Sequence, residues 1–266
     1  MDGTGLFCAT MLQALIFDVD GTLAETERDG HRLAFNAAFK EAGLAWHWDV
    51  ALYGELLAVT GGKERILHYA QRYAPELATK VGFDTLVRKL HLLKTEHYVQ
   101  LVHAGRIALR PGVGPLLRAA RAAGLRLAIA TTTSPENVSA LLRASLAPEA
   151  ESWFEVIGAG DVVPAKKPAP DIYQWVLARL GLPARDCLAF EDSGNGLRAA
   201  LGAGLATIVT EGEYTHDHDF SGAFAVLSGL GVPERPAVAK RGDLHGRCGV
   251  DVELLRVWHE EIISKK

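Results

Sequence analysis

The sequence has few cysteines and no Cys-x-x-Cys pair. Cys8, Cys187 and Cys248 form an odd and widely spaced set. A disulfide-stabilised fold needs paired cysteines, and a zinc knuckle needs closely spaced ones. The sequence therefore argues against both classes, and we expect a protein of the reducing cytoplasm.

A basic surplus and a long apolar segment are also absent. The net charge is −4, whereas proteins that hold nucleic acid by its phosphates typically carry a basic surface. No apolar run reaches the roughly 18 residues that span a bilayer, and residues 1–10 lack the positive charge of a secretory signal. We expect no nucleic-acid partner and no membrane insertion, and we interpret residues 1–10 as a disordered extension.

Apolar runs of strand length alternate with helical patterns along most of the chain. The strand-like runs cover residues 12–19, 125–131, 154–159, 187–190, 205–209 and 224–227, and the helical patterns cover residues 112–123, 137–144, 171–180 and 196–201. This alternation predicts a doubly wound α/β fold, in which helices cover both faces of a parallel sheet.

One long segment breaks the alternation. Its apolar spacing is helical from residue 24 to residue 105, with no strand-like run. We predict a helical cap domain at 24–105, inserted into a core domain made of residues 11–23 and 106–230. Residues 231–266 would form a helical tail packed on the core, since Val252, Leu254, Leu255 and Trp258 follow an amphipathic pattern.

Two acidic residues follow the first apolar run. Asp18 and Asp20 flank Val19, and in extended backbone they point to the same side. Crowded carboxylates at the end of a buried strand are stabilised by a shared proton or by a hard cation such as Mg²⁺. A solvated turn is the simpler alternative, because Asp and Gly are common turn residues. An EF-hand loop is excluded, because its sixth position requires Gly and here holds Leu23.

Polar residues also follow the next three strand-like runs. Ligands of open parallel sheets bind outside the carboxyl ends of the strands. The residues at those ends are Thr131, Thr132, Thr133, Ser134, Lys166, Lys167, Glu191 and Asp192. Singly, each has an ordinary explanation as a helix cap or a surface turn. Together they supply the hydroxyl donors, cation and metal-binding oxygens of a metal-assisted phosphoryl transfer.

This ordered set resembles the four motifs of the haloacid dehalogenase superfamily. The motif residues are 18–22, Thr131, Lys167 and the Glu191-Asp192 pair, and the similarity covers roughly residues 11–227. The helical insert resembles the cap of the β-phosphoglucomutase-like subgroup. Residues 25–27, 46–49 and 60–65 resemble the CbbY branch, which are phosphatases of xylulose 1,5-bisphosphate.

The resemblance implies a catalytic role for each motif residue. Asp18 would attack phosphorus and become an aspartyl phosphate. Asp20 would protonate the departing oxygen and later deprotonate the attacking water. Lys167, rather than Lys166, would pair with Asp18 and the phosphoryl group. The Lys167-Pro168 bond would be cis, as in relatives. Thr131 would grip phosphoryl oxygens.

The resemblance also implies the cofactor and the other binding residues. Mg²⁺ would be held by Asp18, the Asp20 carbonyl and Asp192, with Glu191 as a further or water-mediated ligand. Thr132 and Thr133 would bind the phosphoryl group beside Thr131.

We expect the cap to choose the substrate, a small sugar phosphate and most specifically xylulose 1,5-bisphosphate, which would be cleaved to xylulose 5-phosphate by a monomer. Positive charge from Lys63 and Arg65 would meet the second phosphate. Thr60, Gly61 and Gly62 would bring backbone amides close to it. Glu25 would accept hydrogen bonds from sugar hydroxyls. A helix-start turn with solvated basic residues is the alternative for residues 60–65.

Several competing hypotheses stay open at this level. Gly194, Gly196 and Ala199 fit a dinucleotide pattern after a strand, which would indicate a hydride-transfer enzyme. A sugar-phosphate sensor would not need both Asp18 and Asp20, and a dehalogenase would need neither a second acid nor a metal. A phosphomutase is the nearest rival, although Ser134 stands where such mutases often carry Lys.

Two further groups are interpreted as structural. His31, Trp46 and Trp48 fit packing positions. The residues 216–219, His-Asp-His-Asp, fit a solvated loop better than a metal cluster.

Overall fold

A computed structural model describes residues 11–265, so the predicted extension 1–10 lies outside the described residues. Within them, seven strands form one sheet in the order β3-β2-β1-β4-β5-β6-β7. The strands are β1 Ala14–Phe17, β2 Arg126–Ala130, β3 Phe154–Gly158, β4 Cys187–Glu191, β5 Ala206–Thr210, β6 Ala225–Leu227 and β7 Ala239–Arg241. The first six run parallel, which confirms the predicted fold class.

The first strand lies inside the sheet and is buried throughout. It pairs with β2 on one side and β4 on the other, and Phe17 lies opposite both Ile129 and Phe190. Because all three strands run the same way and end at the same level, the residues that follow them meet at one edge of the sheet.

Helices cover both faces of the sheet, as the alternation of side chains in β1 requires. Leu15 and Phe17 pack into the core on one face, and Ala14 and Ile16 pack into the core on the other. The first face is covered by α6 Val113–Ala122, α7 Pro135–Ser145 and α10 Val252–Ser264. The second is covered by α8 Asp171–Leu180 and α9 Gly194–Gly202.

The helical elements between β1 and α6 occupy residues 27–103, and we call this part of the chain the cap. A π-helical turn, Glu27–His31, leads into α1 Arg32–Glu41, α2 Val50–Leu56, α3 Gly62–Tyr73, α4 Pro75–Ala78 and α5 Phe83–His103. The cap has an apolar cluster of its own, which includes Phe35, Trp48, Tyr53 and Ile66. Trp48 is fully buried there, as expected of a packing residue.

The chain enters and leaves the cap at neighbouring points. A backbone bridge pairs Ala24, on the way in, with Leu109, on the way out. The domain boundaries at residues 24 and 105 stay a prediction, but the two connections lie side by side next to the end of β1.

The C-terminal region holds both a predicted and an unpredicted element. The expected helix is α10, which begins where the Asp251 side chain accepts a hydrogen bond from the Leu254 amide, and Trp258 is fully buried. The sequence analysis missed β7, which adds an antiparallel strand to the sheet edge beside β6. None of the helices within residues 11–265 is long and apolar enough to span a lipid bilayer.

Candidate active site

Three buried carboxylates converge at the carboxyl edge of the sheet. Asp18 follows β1, Glu191 ends β4 and Asp192 comes next, and one oxygen from each lies within 4.8 Å of the others. Gly21 has a φ of +84° and faces Asp192 so closely that any side chain would collide with that carboxylate. A glycine is therefore required immediately after Asp20.

Lys167 supplies the positive charge among these acids. Its Nζ lies 2.6 Å from Asp18 Oδ1 and 2.5 Å from Glu191 Oε1, and the Tyr173 hydroxyl donates to the same Glu191 oxygen at 2.5 Å. Burial opposes the charge of Lys167, but Asp18 and Glu191 outweigh it and raise the lysine pKa above its usual value. The Lys167-Pro168 bond is cis.

Lys166 takes a different direction from its neighbour. Its Nζ donates to the Gly160 carbonyl at 2.5 Å and to Asp161 Oδ1 at 2.6 Å. Of the two lysines, Lys167 is therefore the one that contacts Asp18.

The buried acids carry more negative charge than Lys167 compensates. Burial raises the pKa of Asp18 to about 8, with Lys167 opposing the rise and Glu191 and Asp20 adding to it. Burial, followed by Asp18 and Glu191, raises the pKa of Asp192 well above its usual value. An all-oxygen set with surplus negative charge fits a hard divalent cation. The donor set present is thus compatible with Mg²⁺.

Asp20 has separate partners from the cap entrance. Its Oδ1 accepts a hydrogen bond from Thr26 Oγ1 at 2.5 Å and lies 2.8 Å from His31 Nε2. His31 is buried and stacks on Tyr98, with ring centroids 4.2 Å apart. Burial disfavours the charge of Asp20, but His31 and Thr26 outweigh burial and hold the pKa of Asp20 well below its usual range.

The sequence analysis missed this role of His31 and Thr26. It interpreted His31 as a packing residue, and the ring does pack on Tyr98, but its Nε2 also faces Asp20. The two partners lie 6 and 11 residues beyond Asp20. They reach it because the chain folds back through Gly21 and the Ala24–Leu109 bridge, and no periodicity in the sequence reveals that fold-back.

The hydroxyl residues after β2 divide into two kinds. Thr131 and Thr132 line the cavity beside Asp18 and Lys167. Thr133 instead accepts a hydrogen bond from Asn137 Nδ2 at 3.1 Å, within the first turn of α7. Ser134 precedes that helix, and its buried Oγ has no hydrogen-bond partner among the described residues.

A cavity of about 420 Å³ extends from the acids towards the cap. Its cap side includes Glu27, Leu57, Ala58, Thr60 and Arg65. The connection from β1 to the cap, residues 21–26, which we call the hinge, contributes Glu25. The core side includes Ser193, Asn195, Arg198, Gly212, Glu213, Tyr214, Thr215, His218 and Asp219. Asn195 Nδ2 joins the two sides by donating to Thr60 Oγ1 at 3.0 Å and to the Ala58 carbonyl at 3.3 Å. The volume suits a small phosphorylated molecule.

Both cap cations predicted to bind a second phosphate have partners of their own. Arg65 is buried and donates to the carbonyls of Leu56 and Val59 and to the Tyr53 hydroxyl, which in turn donates to Glu27. Lys63 pairs with Asp161 of the core. Arg65 therefore borders the cavity with its donors committed to the cap.

The two glycines before these cations are explained by close packing. Gly61 has a φ of +101°, and a side chain there would meet Glu64, whereas a side chain on Gly62 would meet His91. Gly61 therefore needs glycine for its backbone conformation, and Gly62 packs closely against His91, both for reasons independent of a ligand.

The dinucleotide-like glycines belong to the acidic site. The Ser193 side chain caps α9 by accepting from the Gly196 amide, and a side chain on Gly196 would collide with the Glu191 carboxylate. In the 216–219 loop, His218 Nδ1 accepts from the Gly194 amide. Within residues 11–265, the group of potential metal ligands is Asp18, Glu191 and Asp192, and the loop contributes none.

Comparison with known proteins agrees with this site. Residues 12–204 match the model of the haloacid dehalogenase-like hydrolases. The chain is 50% identical over 248 residues to the plasmid CbbY protein of Cupriavidus necator, covering 93% of this chain and 97% of that one. It is 44% identical to a CBBY-like protein of Arabidopsis thaliana, covering 84% of this chain and 71% of that one.

Solved structures give the same assignment. CbbY of Rhodobacter sphaeroides in complex with phosphate matches with a TM-score of 0.74 and 48% identity, over 82% of this chain and 95% of that one. A mutant of that protein in complex with xylulose 1,5-bisphosphate matches with a TM-score of 0.73 and 47% identity, over the same shares. The chain therefore belongs to the haloacid dehalogenase-like hydrolases and groups with their CbbY proteins.

Proposed function

We propose that the protein is a Mg²⁺-dependent sugar phosphatase that cleaves xylulose 1,5-bisphosphate to xylulose 5-phosphate and phosphate. The observation that carries the proposal is the arrangement of Asp18, held by Lys167, next to Asp20, held by Thr26 and His31. Binding alone requires neither a nucleophile nor a second acid beside it. The similarity to a CbbY protein solved with xylulose 1,5-bisphosphate supports this choice of substrate.

In this mechanism Asp18 attacks the phosphorus and forms an aspartyl phosphate. Lys167 holds the Asp18 carboxylate in place and offers its charge to the phosphoryl oxygens, together with the Thr131 hydroxyl and the Thr132 amide. Mg²⁺, held by Asp18, Asp192 and the Asp20 carbonyl with Glu191 in support, would supply charge that offsets the phosphoryl group and the buried acids.

Asp20 moves the proton in both halves of the reaction. The contact with His31 favours the ionised form of the Asp20 carboxylate, the form that takes a proton from the water attacking the aspartyl phosphate. In the first half a proton must reach the departing sugar oxygen through Asp20. His31 Nε2, 2.8 Å away, is placed to hold that proton.

The cap and hinge recognise the sugar end of the substrate. Lys63 would leave Asp161 to meet the second phosphate, with Thr60 and the Gly61 and Gly62 amides beside it. Glu25 borders the cavity from the hinge and would accept hydrogen bonds from the sugar hydroxyls. Arg65 would act mainly by holding the cap side of the cavity in place, since its N–H groups already donate to other cap residues.

Phosphate release from a panel of sugar mono- and bisphosphates, with Mg²⁺ and with EDTA, tests the proposal. Release should be metal-dependent, strongest with xylulose 1,5-bisphosphate, and lost in Asp18→Asn and Asp20→Asn. Asp84→Asn, an exposed acid at the start of α5, is the matched control and should retain activity. Unchanged turnover in Asp18→Asn would exclude the covalent route, and isomerised sugar phosphate without free phosphate would indicate a phosphomutase.

A further inference from the structure

Arg110 lies where the chain returns from the cap, one residue after the Leu109 bridge. It is buried, with 8% of its surface exposed, in spite of its charge. Its guanidinium donates to backbone carbonyls from separate parts of the chain, namely Gly21, Thr210 at 2.9 Å, Glu211 at 2.7 Å and Ser228 at 3.2 Å. One side chain therefore ties together the ends of β1, β5 and β6.

The remaining nitrogen faces the other connection to the cap. Arg110 Nε lies 3.1 Å from Glu25 Oε1. The arginine side chain is 7% exposed and the glutamate side chain 57% exposed, so the arginine is fixed and the glutamate has one side open. Because Glu25 lines the cavity, its second oxygen is placed to accept a hydrogen bond from a ligand.

The charges around Glu25 explain why it needs this partner. Partial burial raises the pKa of Glu25, Arg110 opposes the rise, and Glu213 and Glu27 add to it. A lysine in place of Arg110 could not serve both sites, because its single ammonium lacks the planar set of five donors that meets the carbonyls and Glu25 together. The guanidinium can do both at once.

We infer that Arg110 is a positioning residue for substrate selection, which orients the Glu25 carboxylate towards the hydroxyl groups of the sugar. The inference rests on the proposed function. It assigns Arg110 two effects: it holds the loops at the strand ends in place, and it favours the hydrolysis of esters whose leaving group carries hydroxyls. Through its hydrogen bond to Gly21, Arg110 affects the hydrolysis of every phosphate ester alike. Through Glu25, it affects only the hydrolysis of esters that carry hydroxyls.

Two substrates separate these effects. The kcat/KM of purified protein is measured with xylulose 1,5-bisphosphate and with p-nitrophenyl phosphate, whose leaving group has no sugar hydroxyl. The ratio of the two values is compared for wild type, Glu25→Gln, Arg110→Met and the double variant. Arg118→Met, an exposed arginine on α6, is the matched control, and Arg110→Lys is included as the milder change if Arg110→Met does not fold.

We expect the ratio to fall about tenfold or more in Glu25→Gln and in Arg110→Met, the size of effect that a lost charged hydrogen bond produces. The double variant should show no larger fall than the single ones, because both remove the same contact. Arg118→Met should leave the ratio unchanged, and Arg110→Lys should lower it.

Two results would overturn the inference. One is a wild-type ratio in folded Arg110→Met or Arg110→Lys, with both activities reduced equally. The other is a fall in the double variant equal to the product of the single falls, which would mean that the residues act independently. A wild-type protein that cleaves no sugar phosphate would overturn the proposed function itself, and this inference with it.

Discussion

His31 Nε2 lies 2.8 Å from Asp20 Oδ1, in a buried position where the imidazole also stacks on Tyr98. The contact joins the first cap residues to the acid that handles the proton in the proposed reaction. Cap and core are thus chemically linked, because a change in the cap entrance would change the protonation and orientation of Asp20.

His31→Gln should lower kcat with the sugar bisphosphate by roughly ten- to a hundredfold, because Asp20 loses the partner that can hold its proton. KM should change little, since His31 is not placed against the sugar. Steady-state kinetics of the variant test this. His97→Gln is the matched control, because His97 also pairs with a carboxylate, Glu41, but at a partly exposed cap position away from Asp20. Equal kinetics for His31→Gln and wild type would show that Asp20 works without this partner.

Mg²⁺ should raise the melting temperature of the protein by several degrees. A ligand present at about a hundred times its Kd contributes about 2.7 kcal/mol to the stability of the form that binds it. Asp192→Asn should lose this response, yet be at least as stable as wild type in EDTA, because Asp192 is buried among like charges. Melting curves with and without Mg²⁺ provide the measurement.

Asp217→Asn is the control for this experiment. Asp217 lies exposed in the 216–219 loop and should leave the Mg²⁺ response unchanged. A lost response in Asp217→Asn, with a normal one in Asp192→Asn, would move the metal site to that loop.

The sequence could predict the sheet and its catalytic edge for simple physical reasons. Strand-length apolar runs are buried on both faces, so β1 to β6 are visible without tertiary information. The polar residues that follow these strands must lie close together, because the carboxyl ends of parallel strands lie at the same edge of the sheet. The short edge strand β7 was missed, since its three residues are largely exposed and two of them are basic.

Contacts made by chain reversal could not be predicted. Arg110 meets Glu25 because the chain enters and leaves the cap side by side, and Arg65, near the start of α3, donates to Tyr53 of α2. A basic residue after two glycines reads equally well as a ligand contact or a packing contact. Only the positions of Leu56 and Val59, whose carbonyls use the Arg65 donors, decide between them.

Lys63→Ala should raise KM for the bisphosphate roughly tenfold, equivalent to about 1.4 kcal/mol of lost binding, and change KM for p-nitrophenyl phosphate much less. Asp161→Asn should instead lower KM for the bisphosphate, because it releases Lys63 from its present partner. Lys80→Ala, an exposed cap lysine, is the matched control. An equal rise in KM for both substrates in Lys63→Ala would mean that Lys63 does not bind the second phosphate.

Lys94 is expected to lower the stability of the fold at neutral pH. Its Nζ is buried between the rings of Phe35 and Tyr98, at 5.2 and 5.4 Å from their centroids. Burial lowers its pKa from 10.5 to about 8, although Asp20 and Glu27 oppose the change. The unfolded chain therefore binds more protons than the folded one between these pH values, and the free energy of unfolding should rise with pH across that window.

Lys94→Met should remove this dependence and be more stable than wild type at pH 7, by at most roughly 3 kcal/mol. The difference should shrink as the pH rises from about 8 towards 10.5, which urea unfolding at several pH values measures. Lys89→Met, an exposed lysine on the same helix, should show neither effect. A Lys94→Met variant less stable than wild type at pH 7 would show that the two rings and the acids hold the ammonium at no net cost. If Lys94→Met is instead more stable but has a lower kcat, the Lys94 ammonium serves catalysis through Asp20 rather than the stability of the fold.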